Sequence, residues 1–159
     1  MTIDVQGLKQ NGAEDKLVGA SITNDMGFLL AKLHAVGSVL NNRALADFNL
    51  KERSYSVLIL SDSGLEPTQR ELADFLSLDP SQIVALVDEL EKRGLVVRAP
   101  GKQDRRAKTV TATAEGSKLL VEARKAASSA EDQALERLSA EEVATVKALL
   151  RKALWGDSV

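Results

Sequence analysis

All three prolines of the 159-residue chain, at positions 67, 80 and 100, fall in its middle third. Proline fixes φ, removes a backbone donor and breaks a helix interior. Residues 1–66 and 101–159 contain none, so both ends are open to long helices, while the stretch between Pro67 and Pro100 is confined to short elements. The hydrophobic content of 44% excludes a wholly disordered chain. A chain of this length hides roughly 70% of its unfolded surface on folding, which predicts one compact domain.

The proline-free ends carry helical patterns. From Ile22, apolar residues recur at Met26, Leu29, Leu33, Val36 and Leu40, in steps of 4, 3, 4, 3 and 4. This is a heptad seam, and all six positions lie within about 40° of one line on a helix. Leu30, Leu45 and Phe48 broaden its apolar surface. Gly27 and Gly37 each cost about 1 kcal/mol of helix propensity against Ala, so packing must hold this helix together. Residues 1–20 are polar, with three glycines and little periodicity, and read as a loose arm or as a segment ordered only against a partner. A second helix is expected over Glu52 to Asp62, although Val57-Leu58-Ile59-Leu60 alone reads equally as a strand. Beyond the last proline, Leu119, Ala123, Ala126 and Ala130 line a helix that starts near Thr113. Ser139-Ala140-Glu141-Glu142 is a capping box that opens another helix, with Val143, Val146, Leu150 and Ala153 on one face. Trp155 reads as a C-terminal packing anchor.

In the centre, Thr68-Gln69-Arg70-Glu71 forms a capping box behind Pro67, followed by Leu72, Ala73 and Leu76 as a short buried face. Asp79 at the N-cap and Pro80 at the first helical position open the next helix. Its buried stripe is Ile83, Leu86, Val87 and Leu90, and Gly94 ends it. Two short helices this close together make a helix-turn-helix. Leu95 to Arg98 and Lys108 to Thr111 are β-branched and alternating, and read as a two-stranded hairpin around a basic tip, Ala99 to Ala107. The fold class expected is mainly α with a small β-hairpin, flanked by helices at both termini.

The net charge of −2 conceals a strong asymmetry. Lys92, Arg93, Arg98, Lys102, Arg105, Arg106 and Lys108, with Asp104 as the single acid among them, give residues 92–108 a charge of +6, which leaves −8 on the rest. A basic stretch on an acidic body suits a polyanion, although by itself it is equally a solvated loop. Opposite the buried stripe, the helix after Pro80 presents Ser81, Ala85, Asp88 and Lys92, flanked by Gln82 and Glu89. Small and hydrogen-bonding groups near a helix N-terminus suit a DNA major groove: Gln82 matches adenine and Ala85 a thymine methyl. Asp88 either accepts from a cytosine amine or lowers non-specific affinity. The same composition also describes an ordinary solvated face.

The remaining inventory narrows the function classes. The longest apolar run is five residues, Ile83 to Val87, against the ~20 needed to span a bilayer. The first 25 residues lack a signal-peptide core, so a cytoplasmic location is expected. Without cysteine there is no disulfide, thiolate metal site or thiol switch, and His34 is the single histidine. There is no Gly-rich phosphate loop and no clear carboxylate pair, so neither an enzyme nor a cofactor is expected.

Asp104-Arg105-Arg106-Ala107-Lys108, followed by Val110, Thr113 and Gly116, resembles the wing signature of the MarR family of bacterial transcription regulators. The run Leu86-Val87-Asp88-Glu89-Leu90-Glu91-Lys92-Arg93-Gly94-Leu95-Val96 resembles the same family's recognition segment, and the flanking helices match its layout. The resemblance implies a winged helix-turn-helix DNA-binding lobe over 51–112 and a helical dimerisation region from 21–50 and 113–159. It places Arg106 at the wing tip in the minor groove, with Asp104 holding the wing's arginine geometry. An arginine in a narrow minor groove reads shape through enhanced negative potential. Lys102, Arg105 and Lys108 would serve phosphates, as would Thr68, Gln69 and Arg70 at a helix N-terminus. Ala112 replaces a larger apolar residue of the family's second wing strand, and Val84 stands where a threonine is frequent.

The expected interface between two copies is Ile22, Met26, Leu29 and Leu33 with Val143, Val146 and Leu150; the alternative is that these helices fold back on their own lobe. A twofold dimer presents two recognition helices about one DNA turn apart, ~34 Å, and so predicts a pseudo-palindromic operator. The partners expected are double-stranded DNA, a second copy of the chain and, by resemblance, a small aromatic or anionic effector, with no membrane. His34 and Tyr55 are candidates to line an effector pocket, although lone residues of these types on a helix more often simply pack. The function expected is a sequence-specific, ligand-responsive repressor. The competing reading is a winged-helix protein-interaction module without specific DNA binding.

Overall fold

The computed structural model describes residues 16–101 and 108–157. These divide at Val36 and Gly37 into two compact units, the division falling within the first long helix.

In the N-terminal unit, residues 16–20 close a turn, with the Ala20 N–H donating to the Leu17 carbonyl at 2.9 Å. This part of the expected arm is therefore structured, and residues 1–15 lie outside the described residues. A 3-10 turn follows at Ser21–Asn24. Helix α1, Met26–Ala44, starts only after it, because the Asp25 carboxylate accepts from the Phe28 N–H at 3.0 Å and caps the new helix. This corrects the heptad reading: Ile22 belongs to the 3-10 turn, and the helical seam begins at Met26.

The larger unit contains the rest. Helix α2 is Glu52–Ser61, so Val57-Leu58-Ile59-Leu60 is helical. Helix α3 is Gln69–Leu76 and helix α4 is Pro80–Lys92. Strands β1, Val96–Pro100, and β2, Lys108–Ala112, pair antiparallel with Val96 opposite Ala112 and Pro100 opposite Lys108. Each strand thus runs further towards its C-terminal end than the sequence pattern suggested. Helices α5, Ala114–Ala134, and α6, Ala140–Trp155, complete the chain. Among the described residues, no helix is long and apolar enough to cross a membrane.

The core forms where α2, α3, α4, the hairpin and the start of α5 converge. Leu45, Val57, Leu58, Ile83, Val87, Leu90, Val96 and Val110 are all fully buried there. Leu45 therefore belongs to the core and does not widen an exposed seam. On α5 the buried residues are Gly116, Leu120, Ala123 and Ala130, with Leu119 only partly buried. The stripe is thus rotated from the expected one, because α5 packs its first turns onto α2 and β2.

The junction from α4 through β1 to α5 explains why the wing signature has its residue types. Gly94 ends α4 at φ +69°, a left-handed conformation that glycine adopts without steric cost. The Thr113 hydroxyl donates to the Gly94 carbonyl at 2.6 Å and accepts from the Gly116 N–H at 3.0 Å, capping α5. A Cβ on Gly116 would fall 2.0 Å from the Leu95 carbonyl oxygen, so only glycine lets the helix approach β1 this closely. The segment before α3 adds an edge to the hairpin: the Val110 N–H donates to the Pro67 carbonyl at 2.8 Å and Thr68 bridges Thr109.

Candidate nucleic-acid interface

Helix α4 is set by its caps and its inner face. The Asp79 carboxylate accepts from the Ser81 N–H at 2.8 Å and Pro80 occupies the first turn. Hydrogen bonds from the Ser81 hydroxyl and N–H hold the Asp79 carboxyl below the usual aspartate range. Ile83, Val87 and Leu90 on the inner face are fully buried. The helix is thus anchored along one side, and Ser81, Gln82, Ala85, Asp88 and Lys92 are all exposed on the other.

Helix α3 stands beside it, opened by the capping box that the sequence announces. The Thr68 hydroxyl accepts from the Glu71 N–H at 3.2 Å and donates to Glu71 Oε2 at 2.8 Å, and the Thr68 N–H donates to the same oxygen at 2.7 Å. The Thr68 backbone bond, followed by the side-chain bond, lowers the Glu71 carboxyl below its ordinary value. Thr68 and Gln69 are half-buried, whereas the Arg70 side chain projects freely and pairs only loosely with Asp74, at 3.9 Å. Lys108 begins β2 and is exposed. Lys102, Asp104, Arg105 and Arg106 lie outside the described residues.

The basic segment is not one undivided footprint. Arg93 turns back onto the body, donating from Nη1 to the Asn49 carbonyl at 2.6 Å and from Nη2 to the Phe48 carbonyl at 2.8 Å. Arg98, on β1, donates to Asp88, Glu91 and Gln69. Burial works against the Arg98 charge, but the bonds to Asp88 and Glu91 outweigh it and raise the guanidinium pKa above its ordinary value. Two of the seven cations are thus structural, and two of the expected DNA-facing residues, Gln69 and Asp88, are engaged by one of them. A signal for this role exists in the sequence. Strand alternation puts Arg98 on the same face as buried Val96, where an arginine requires partners.

His34 lies exposed on α1 in the N-terminal unit. Tyr55 lies on α2 in the larger unit, partly buried against the core. Burial raises the Tyr55 phenol pKa, with Arg124 opposing and Glu131 reinforcing that shift. The apolar positions expected at an interface are open: Met26, Leu29, Leu33 and Leu150 are exposed, and Val143 and Val146 are half-buried. Trp155 stacks on Phe75, with ring centroids 6.2 Å apart and planes 6° from parallel, which meets the expected packing role.

A short helix pair whose second member is anchored on one side and open on the other, followed by a two-stranded hairpin, defines the winged helix-turn-helix class of DNA-binding proteins. The sequence profile of the MarR family matches residues 51–107. A MarR-family transcriptional regulator from Rhodococcus sp. RHA1 is 36% identical with a TM-score of 0.81, over 89% of this chain and 100% of that one. CouR from Rhodococcus jostii RHA1, crystallised with p-coumaroyl-CoA, is 37% identical with a TM-score of 0.77, over 89% of this chain and 99% of that one. A mutant of Escherichia coli MarR crystallised with operator DNA shares the fold at 23% identity and a TM-score of 0.71, over 91% of this chain and 99% of that one. The chain belongs to the MarR family. It is a DNA-binding transcriptional regulator and not an enzyme.

Proposed function

We propose that the chain acts in the cytoplasm as a homodimeric repressor on a pseudo-palindromic operator, released by a small aromatic or anionic effector. The observation that carries this reading is the two-sided character of α4: Ile83, Val87 and Leu90 are fully buried, and Ser81, Gln82 and Ala85 are open in its first turns. That half of the helix enters a major groove, with Gln82 and Ala85 on base edges and Ser81 near the backbone. Asp88 lies further along the same face. Arg70 and the Gln69 amide NH2 at the start of α3, with Lys102, Arg105 and Lys108 on the wing, hold phosphates, while Thr68 gives both of its donors to Glu71 and serves as the cap. Arg106, set by Asp104, reads the minor groove. On this reading the structural service of Arg93 and Arg98 leaves the wing tip as the main source of positive charge.

The dimer is supported by apolar surface that the protomer leaves open. On α1, Met26, Leu29 and Leu33 are exposed by 67%, 45% and 40%. On α6 no residue is buried. Exposed apolar side chains at helical spacing on each of these helices mark an interface. The effector is supported by CouR, whose bound p-coumaroyl-CoA is both aromatic and anionic. His34 in the N-terminal unit and Tyr55 in the larger unit are each candidates for an effector contact. Such a ligand acts only through its differential affinity for the operator-bound and free arrangements.

The test is binding of the full chain to duplexes selected from a random pool. Affinity falls steeply as salt rises, because phosphate contacts release counterions. Arg106→Ala costs about 1–3 kcal/mol at fixed salt, the scale of a groove-reading arginine. Unchanged affinity removes Arg106 from the interface. Absence of duplex binding at low salt favours a protein-interaction module.

A further inference from the structure

Arg98 is held by three side chains on two helices at once. Its Nη1 donates to Glu91 Oε2 and its Nη2 to Asp88 Oδ1, both on α4. Its Nε donates to Gln69 Oε1 on α3 at 3.1 Å, and its backbone N–H donates to Glu91 Oε1 at 3.0 Å. The Arg98 side chain is 15% exposed, whereas those of Asp88 and Glu91 are 60% and 39% exposed. A guanidinium offers five donors in a fixed planar fork, so one side chain can fix three acceptors in a defined arrangement, which an ammonium cannot.

We propose that Arg98 is a positioning residue that locks the stem of the wing to both helices of the helix-turn-helix and masks the carboxylates of Asp88 and Glu91 from DNA phosphates. The proposal rests on the reading of α4 and the wing as the DNA interface. Asp88 shares its helix face with Ser81 and Ala85, so an unpaired carboxylate there would stand close to the phosphates and repel them. With Arg98 in place the three charges sum to −1, both Glu91 oxygens accept from it, and so does Asp88 Oδ1. The same bonds fix the angle at which β1 leaves α4. That angle sets the direction of the hairpin strands relative to the recognition helix. Because both acids are partly exposed, they rehydrate when Arg98 is lost, and the effect appears in DNA binding more than in folding.

Two probes separate the possibilities: the tightest duplex selected from a random pool, and a mixed-sequence duplex, each titrated with the full chain. R98M weakens binding of the selected duplex by about tenfold, the scale of coupling within one ion-pair network. R98M/D88N recovers most of that loss, because the unmasked charge is gone. R98K, lacking the fork, recovers only part. The slope of log affinity against log salt stays unchanged in R98M, since Arg98 releases no counterion. Without DNA, R98K exchanges its β1 amides about tenfold faster than the parent chain, while those around Leu58 are unmoved. A slope that falls by about one, with no rescue by D88N, makes Arg98 a direct phosphate contact and overturns the proposal. Unaltered affinity in R98M, or unaltered exchange in R98K, overturns it as well, and the exchange measurement decides the matter if R98M does not fold. A parent chain that binds neither duplex sinks the interface reading along with it, whereas failed rescue overturns this proposal and leaves the interface reading standing.

Discussion

The winged lobe and the terminal helices treat the same residue types in opposite ways. Leu58, Val87 and Leu90 of the lobe are fully buried, and the core they form is closed within the protomer. Met26 on α1 and Leu154 on α6 are each exposed by 67%, although their helical periodicity is just as regular. Both regions were written with the pattern of a buried stripe. In the lobe the stripe is covered within the chain, whereas at Met26 and Leu154 it stays open. The difference teaches that amphipathic spacing specifies a face to be covered but not what covers it. In the lobe the cover is α2, α3, α4 and the hairpin; on the proposed function it is a second copy of the chain for α1 and α6.

That contrast can be broken at its strong end first. Leu58→Ala leaves a cavity in a closed core and costs about 2–5 kcal/mol of stability, read from chemical denaturation. A loss below ~1 kcal/mol would mean that the lobe relaxes as freely as a surface does. Leu33→Asp tests the open end. It spares the lobe's own core and lowers the sedimenting mass from dimer to monomer by placing a charge where an apolar seam closes. Retention of the dimer mass would show that α1 is uncovered in solution or buried by another surface. The smallest effect sharpens the account of the lobe. Thr68→Ala removes the α3 cap and costs about 0.5–2 kcal/mol. Glu71 has its carboxyl lowered by the same cap. Its contribution is therefore present above the ordinary glutamate pKa and is lost as pH falls through the lowered value. Thermal melts from about pH 7 down to pH 3 should show a shallower acid limb in the variant than in the parent.

Much of the winged lobe was legible from local chemistry. Thr68, Asp79, Thr113 and Ser139 all cap the helices expected of them, because a cap joins residues two or three apart and owes nothing to the rest of the fold. The open face of α4 was legible for a similar reason: a 3.6-residue period fixes which side chains oppose Ile83 and Val87. Charge was read less well. Arg93 reaches carbonyls of Phe48 and Asn49, and Arg98 reaches Gln69, 29 positions away. A count of basic residues along the chain assigns both to an anion footprint, since the partners that claim them are distant in sequence.

The breakpoints at Pro67, Pro80 and Gly94, the helix caps and the Thr113–Gly116 junction follow from short-range geometry, and the chain carries them in its order of residues. The packed fold was needed to make Val57–Leu60 a helix, to draw Leu45 and Leu120 into the core and to give Arg93 and Arg98 their partners within the chain. Those outcomes depend on groups far apart along the backbone meeting at a few ångströms. Local spacing ranks the alternatives for such groups, and only long-range packing and burial choose among them.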